Sequence, residues 1–218
     1  FGGLLEPFTE GRVQFRLKEG REMHTLSEFD LLRSRQAIGR NLVSFSGASL
    51  LCELALRFGT TEADPELFGL LVGKLDALAA AGEDDAAGLA LAAVWQGIAL
   101  LGFEPRLDAC VRCDRPIGTG EATRFDVEAG GVACTLCRPE GRLVGAGARQ
   151  ELAAMCTGGA VPGPEADWSV HRALLGAFVR AHLSEEHPLR SLELFTDLLP
   201  RSTSPAGRAP RAEPPAIP

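Results

Sequence analysis

The sequence predicts an α+β protein, mainly helical: two N-terminal strands, a helical bundle and a short insertion shaped to hold a metal. Three observations predict it. Apolar and polar residues alternate through 12–18, the two-residue period of a strand. Apolar residues recur at steps of three or four from about 38 to 101 and again from 148 to 199, the period of helices with one buried face. Between these helical stretches, Cys110, Cys113, Cys134 and Cys137 form two Cys-x-x-Cys pairs.

Composition limits the function classes. Of 218 residues, 45% are hydrophobic and 23% charged, with 25 Gly and 14 Pro, which excludes a wholly disordered or collagenous chain. The longest apolar run, 86–101, is 16 residues and contains Gln96, short of the roughly 20 a membrane span needs. No membrane partner is expected. Phe1 is followed by no basic segment leading into an apolar one, so no signal peptide is predicted, and the sequence reads as one that begins inside a longer protein. The net charge of −7 is concentrated in 61–109, with nine acidic residues against two basic. An anionic partner would therefore meet the N-terminal third, and only locally.

Each element has its own signals. In 12–18, Val13, Phe15 and Leu17 share one face while Arg12, Gln14, Arg16 and Lys18 share the other. Glu19-Gly20 reads as a turn, and Met23, Leu26 and Phe29 as a weaker second strand. A lone hairpin is marginal in water, so these strands need further strands or a helical surface. Leu42, Phe45, Ser49, Cys52 and Leu56 outline a first helix through Phe58, ended by Gly59. Asp64-Pro65 starts a second, an N-cap carboxylate followed by proline in the first turn, with Leu67, Leu71, Leu75 and Leu78 on one face. Asp84 and Asp85 start a third that reaches Leu101, with Gly102 as its stop. Residues 148–156, 164–183 and 189–199 resume helical patterning. Residues 200–218 contain six prolines and are expected to be disordered.

The cysteines are the most specific signal. Two residues between ligands let a tight turn aim both sulfurs at one ion, and two such turns 20 residues apart complete a tetrahedron, the four-thiolate zinc pattern. The segment between, 124–132, reads as a hairpin that returns the second pair to the first. Four thiolates on Zn2+ carry a net charge of about −2 that nearby cations must offset, and Arg112, Arg115 and Arg138 stand beside the ligands. The alternatives are two disulfides or four unrelated buried thiols; the lack of a signal peptide favours the metal. A closed set of protein ligands makes the ion structural. Cys52 and Cys156, within helical patterns, read as core cysteines.

Other motifs fail. Gly69 to Lys74 is one residue short of a phosphate-binding loop and lies in a helical pattern. Gly145-Ala-Gly147 lacks the rest of a dinucleotide fingerprint. His24, His171, His182 and His187 have no partner at metal or triad spacing, although His171 and His182 could share a helix face. No catalytic residues are assigned, and an enzyme is the weaker hypothesis. The strip Arg12, Gln14, Arg16, Lys18, with Arg21 in the turn, can track a phosphate backbone. Periodicity alone favours the plainer alternative, a solvated strand face.

Four stretches taken together resemble the bacterial DNA repair and recombination protein RecO family. They are Phe1-Gly-Gly-Leu-Leu-Glu-Pro-Phe8, Leu100-Leu-Gly-Phe-Glu-Pro-Arg-Leu-Asp108 running into the first cysteine pair, Phe125-Asp-Val-Glu-Ala-Gly-Gly-Val132, and Leu189-Arg-Ser-Leu-Glu-Leu-Phe195. The resemblance implies an N-terminal OB-fold, of which 1–31 is a remnant, followed by a helical domain over 32–199 with 110–142 as a zinc-ribbon insertion. It implies a cytoplasmic, nucleoid-associated mediator in the RecF-type pathway of gap and double-strand break repair. Such a protein binds single- and double-stranded DNA, anneals strands and assists RecA loading, with RecR and single-strand-binding protein as partners. Arg12, Arg16, Lys18 and Arg21 become candidate DNA contacts, and Arg190 a further one, although Leu192 stands where many relatives are basic. The family's OB-fold begins some tens of residues earlier, so the first 30 residues are expected to be an incomplete barrel. A second reading is a zinc-stabilised helical interaction module without intrinsic DNA binding. A third, a metal-dependent hydrolase, would need an exchangeable metal.

Overall fold

The computed structural model describes residues 5–17, 20, 23–184 and 188–201. Phe1 to Leu4, Lys18, Glu19, Arg21, His187 and the tail from Ser202 lie outside these, and with them two of the DNA-contact candidates and the expected disorder of the tail. Two strands open the chain, β1 (Glu10–Arg16) and β2 (Thr25–Arg33), paired antiparallel. The second is longer and more regular than its sequence suggested. The apolar face expected to be half buried is open: Val13, Phe15 and Leu17 are 49%, 53% and 72% exposed. Among the described residues the ribbon is anchored at its base, where Phe8 packs edge-on against Phe45 and buried Arg35 bonds Glu10 and Phe8 O.

The helices are α1 (Leu42–Phe58), α2 (Pro65–Ala80), α3 (Ala86–Ile98), α4 (Ala146–Cys156), α5 (Trp168–His182) and α6 (Arg190–Leu198). Asp64 caps α2 as expected, its carboxylate accepting from the N–H groups of Glu66 and Leu67. The fifth helix starts later than 164 because Asp167 supplies the cap, accepting from the N–H of Val170 at 3.2 Å. For α1 the helix is right but the buried face is not. Leu42 and Leu56 are 55% and 88% exposed, while Ala48, Leu50, Leu51 and Leu54 are buried. Small residues decide this, because a Cβ at Gly47 would stand 2.6 Å from that of Ala90, so α1 approaches α3 through Gly47.

Helix α3 is buried nearly all round, with Trp95, Leu91 and Ile98 fully enclosed. It continues through a π-type turn, Ala99–Phe103, ended by Gly102 at φ 89°, a conformation open to glycine at little cost. The 18 residues Ala86–Phe103 are long and apolar enough to cross a membrane, contrary to the expectation from the shorter run, but 61% of that window is buried within the protein. It is the central helix of the bundle, flanked by α1, α2 and α4. Burying each large apolar side chain there stabilises the fold by about 1.5–3 kcal/mol.

A three-stranded antiparallel sheet of order β4-β3-β5 carries the cysteines: β3 (Thr123–Asp126), β4 (Gly131–Ala133) and β5 (Leu143–Val144). The hairpin was legible in the sequence; the two-residue β5 was not. Phe125, Val132 and Val144 belong to the same buried cluster as the helices.

Candidate metal centre and nucleic-acid surface

The segment 106–111 runs along the free edge of β4 and leads into the turn that holds the first cysteine pair, Cys110 at its start and Cys113 at its end. Arg106 donates to Gly130 O, Val132 donates to Arg106 O, and Val111 donates to Val132 O, each within 3.0 Å. The second pair follows β4 directly. Pairing the two segments in register sets the turns face to face, and the N–H of Cys134 donates to Cys110 Sγ at 3.3 Å.

The four Sγ atoms all lie within 4.8 Å of one another, two on buried residues and two on exposed ones. A tetrahedral zinc–thiolate site, with bonds near 2.3 Å, needs sulfurs about 3.8 Å apart, so the donor set and its spacing fit a single ion. The electrostatics agree. Burial works against a Cys110 thiolate, but the N–H groups of Cys134, Arg112 and Cys113 outweigh it and bring its pKa down to about 6. Cys137, crowded by the sulfurs of Cys113 and Cys134, is pushed up to about 12. Four sulfurs this close cannot all ionise without a cation among them.

The cations beside the ligands do something the sequence did not show. Asp126, the last residue of β3, is fully buried. Arg112, inside the first turn, reaches its Oδ2 through Nε and Nη2, both at 2.6 Å. Arg138, just past the second turn, reaches its Oδ1 at 3.0 Å. One carboxylate thus ties both cysteine turns to the hairpin between them. Arg115 is paired instead with Glu121. From the helical side, buried Arg149 of α4 donates to the carbonyls of Leu107 (3.0 Å) and Gly118 (2.5 Å), and His182 of α5 meets Val127 O at 2.6 Å. His171 is enclosed elsewhere, 2.7 Å from Glu151, so the two histidines form no common site. Burial raises the pKa of both remaining thiols, Cys52 and Cys156, the latter to about 12; Cys156 is a buried core cysteine, whereas Cys52 is only partly buried at the edge of the core.

Comparison with known proteins places this arrangement. Residues 39–193 match the family described as recombination protein O C terminal. The chain belongs to the RecO family. It is 30% identical over 204 residues to the DNA repair protein RecO of Bifidobacterium adolescentis, covering 89% of this chain and 81% of that protein. To the DNA repair protein RecO of Thermobifida fusca it is 33% identical over 204 residues, covering 89% and 79%. To that of Anaeromyxobacter sp. strain K it is 38% identical over 141 residues, and there it spans only 54% of the relative. The matched RecO region holds the four cysteines, Asp126 and helices α1 to α5; the ribbon lies before it.

The candidate DNA contacts on the described part of the RecO chain are Arg12 and Arg16 on β1 and Arg190 at the start of α6, all exposed. The strip on the ribbon is less basic than β1 alone suggested. Across the strands Arg12 faces Asp30 and Gln14 faces Glu28, and directly paired residues share a face. Arg190 sits where Glu53 of α1 caps α6, accepting from the N–H groups of Arg190 at 2.8 Å and Ser191 at 2.9 Å. Leu192 is buried at 2% exposure, which accounts for an apolar residue at that position.

Proposed function

We propose that this chain acts as a DNA-binding mediator of recombinational repair in the RecF-type pathway, annealing strands and assisting RecA loading, in the cytoplasm and associated with the nucleoid. Its partners are single- and double-stranded DNA, RecR and single-strand-binding protein. The observation that carries this reading is the RecO match over residues 39–193. Cys110, Cys113, Cys134 and Cys137 hold one structural Zn2+ in a zinc ribbon, which fixes the 106–144 segment against α4 and α5. The ion fills no catalytic role, because four protein sulfurs leave it no open position. The ribbon β1–β2 is the remnant of the OB-fold, with Arg12 and Arg16 as phosphate contacts and Arg190 as a further one on the helical domain. Lys18 and Arg21, outside the described residues, complete the set.

The test is binding of a fluorescent oligonucleotide across a salt series. Affinity should fall linearly on a log–log plot, with a slope set by the number of phosphates neutralised. Absence of binding at low salt by this chain would defeat the reading. One observation favours the second reading, an interaction module. An apolar groove of about 790 Å³ lies between the ribbon base, α1 and α2, lined by Cys52, Leu56, Phe68 and Leu71. Under that reading partner capture would be insensitive to salt.

A further inference from the structure

Four arginines meet at a cleft of about 480 Å³ formed by α5, α6 and the segment after the second cysteine turn: Arg142, Arg172, Arg180 and Arg201. Two carboxylates, Glu193 and Asp197, share its wall, leaving cations in excess in a chain whose net charge is −7. The floor is a stripe of α5 with small side chains at Ala173 and Gly176. A Cβ at Gly176 would stand 3.1 Å from Arg180 Nη1, so the glycine lets that guanidinium lie across the helix.

The existing pairs are weak. Arg172 reaches Asp197 at 3.4 Å and Arg180 reaches Glu193 at 3.0 Å, with both carboxylates more than 60% exposed. Solvated pairs of this kind contribute little and exchange partners readily. The side chains of Arg142 and Arg201 have no hydrogen-bond or ion-pair partner among the described residues, and both are exposed. Among the described residues the cleft therefore offers two unengaged guanidiniums and two that are loosely held.

We propose that this cleft binds the backbone phosphates of a nucleic-acid strand, as a site separate from the ribbon arginines; the proposal rests on the DNA-binding reading above. Guanidinium forks match phosphate oxygens in pairs. Arg172 and Arg180, eight residues apart on α5, are separated by about 12 Å along its axis. In duplex DNA the charges of one strand advance about 3.4 Å each along the axis, so that span covers three or four of them and one strand can be held at more than one point. The ribbon strip, diluted by Asp30 and Glu28, offers no comparable excess of cations.

The test compares three forms of the 218-residue chain: unmodified, with Arg142→Gln and Arg201→Gln together, and with Arg12→Gln and Arg16→Gln together. Each is titrated with a fluorescein-labelled oligothymidylate by anisotropy across a salt series, and thermal melts confirm that the variants are folded. The cleft variant should bind roughly tenfold more weakly at low salt, with its salt slope reduced by about 1.4, since each single-strand phosphate contact contributes about 0.7. If the cleft variant matches the unmodified chain, the cleft proposal is overturned while the ribbon variant reports separately on the DNA-binding reading. If the unmodified chain does not bind, both fall. If polyglutamate of equal charge displaces the oligonucleotide as well as unlabelled DNA does, the cleft selects acidic protein segments, and the phosphate assignment is wrong.

Discussion

Replacing Asp126 by Asn should loosen the metal centre without touching a ligand. The carboxylate is fully buried and accepts from Arg112, Arg138 and, at 3.3 Å, the N–H of Ala129. Breaking a buried ion pair from one side costs about 3–5 kcal/mol. Here the orphaned guanidiniums are 49% and 35% exposed and can turn to water, which lowers the expected loss to about 2–3 kcal/mol. For a chain of this size that corresponds to a fall in melting temperature of about 4–12 °C. Because Asp126 holds both cysteine turns, metal affinity should fall as well, by about 10–100-fold for a partner of this kind. Calorimetry gives the first quantity and competition with a chromogenic chelator the second. An Asp126→Asn protein that keeps both its melting temperature and its metal competition curve would refute the claim that this carboxylate organises the turns. Arg112→Ala and Arg138→Ala should each show part of the effect and combine non-additively, because they share one partner.

Three further outcomes are expected. Glu53→Gln should cost about 1 kcal/mol, measured by urea unfolding, because it weakens the only side-chain acceptor seen at the α6 N-terminus among the described residues. The pH dependence follows from the same group. Burial opposes its ionisation, but the N–H groups of Ser191 and Arg190 outweigh that and hold its pKa below the ordinary 4.5. A depressed carboxylate contributes stability above its unfolded pKa and loses it as pH falls through the folded one, so the difference between parent and Glu53→Gln should be full at pH 7 and shrink below about pH 4.5. Arg35→Ala should free the ribbon from the helices. Its side chain is 2% exposed and bonds Asp76 at 2.6 Å, Glu10 at 2.8 Å and Phe8 O at 3.1 Å, so hydrogen exchange should accelerate in β1 and β2 while α3 stays protected.

What the sequence disclosed depended on how locally each feature is encoded. The cysteine turns, the Asp64-Pro65 start and the Gly102 stop each act within a few residues, and each is where the pattern put it. The apolar spacing in α1 marks the helix but not its buried face, because Gly47 sets the approach to α3 and leaves Leu42 and Leu56 outside. The alternation in β1 correctly marked a strand, but a period of two says nothing about whether the apolar face has a cover. Features that join distant residues left no trace in any local window. Arg35 meets Asp76 across 41 positions, Glu53 caps a helix 137 positions on, and Arg149 reaches Leu107 across 42. Asp126 could have been suspected only as one of two acids, with Glu128, in a hairpin flanked by cysteine turns that each have an arginine in or beside them.

The four-sulfur centre is tested most directly by measuring zinc in the purified chain by mass spectrometry alongside titration of its thiols in the native state. One zinc per chain is predicted, with the thiols of residues 110, 113, 134 and 137 unreactive until a chelator is added and all four then released together. Substoichiometric metal, with those same thiols reactive from the start in a folded protein, would contradict it.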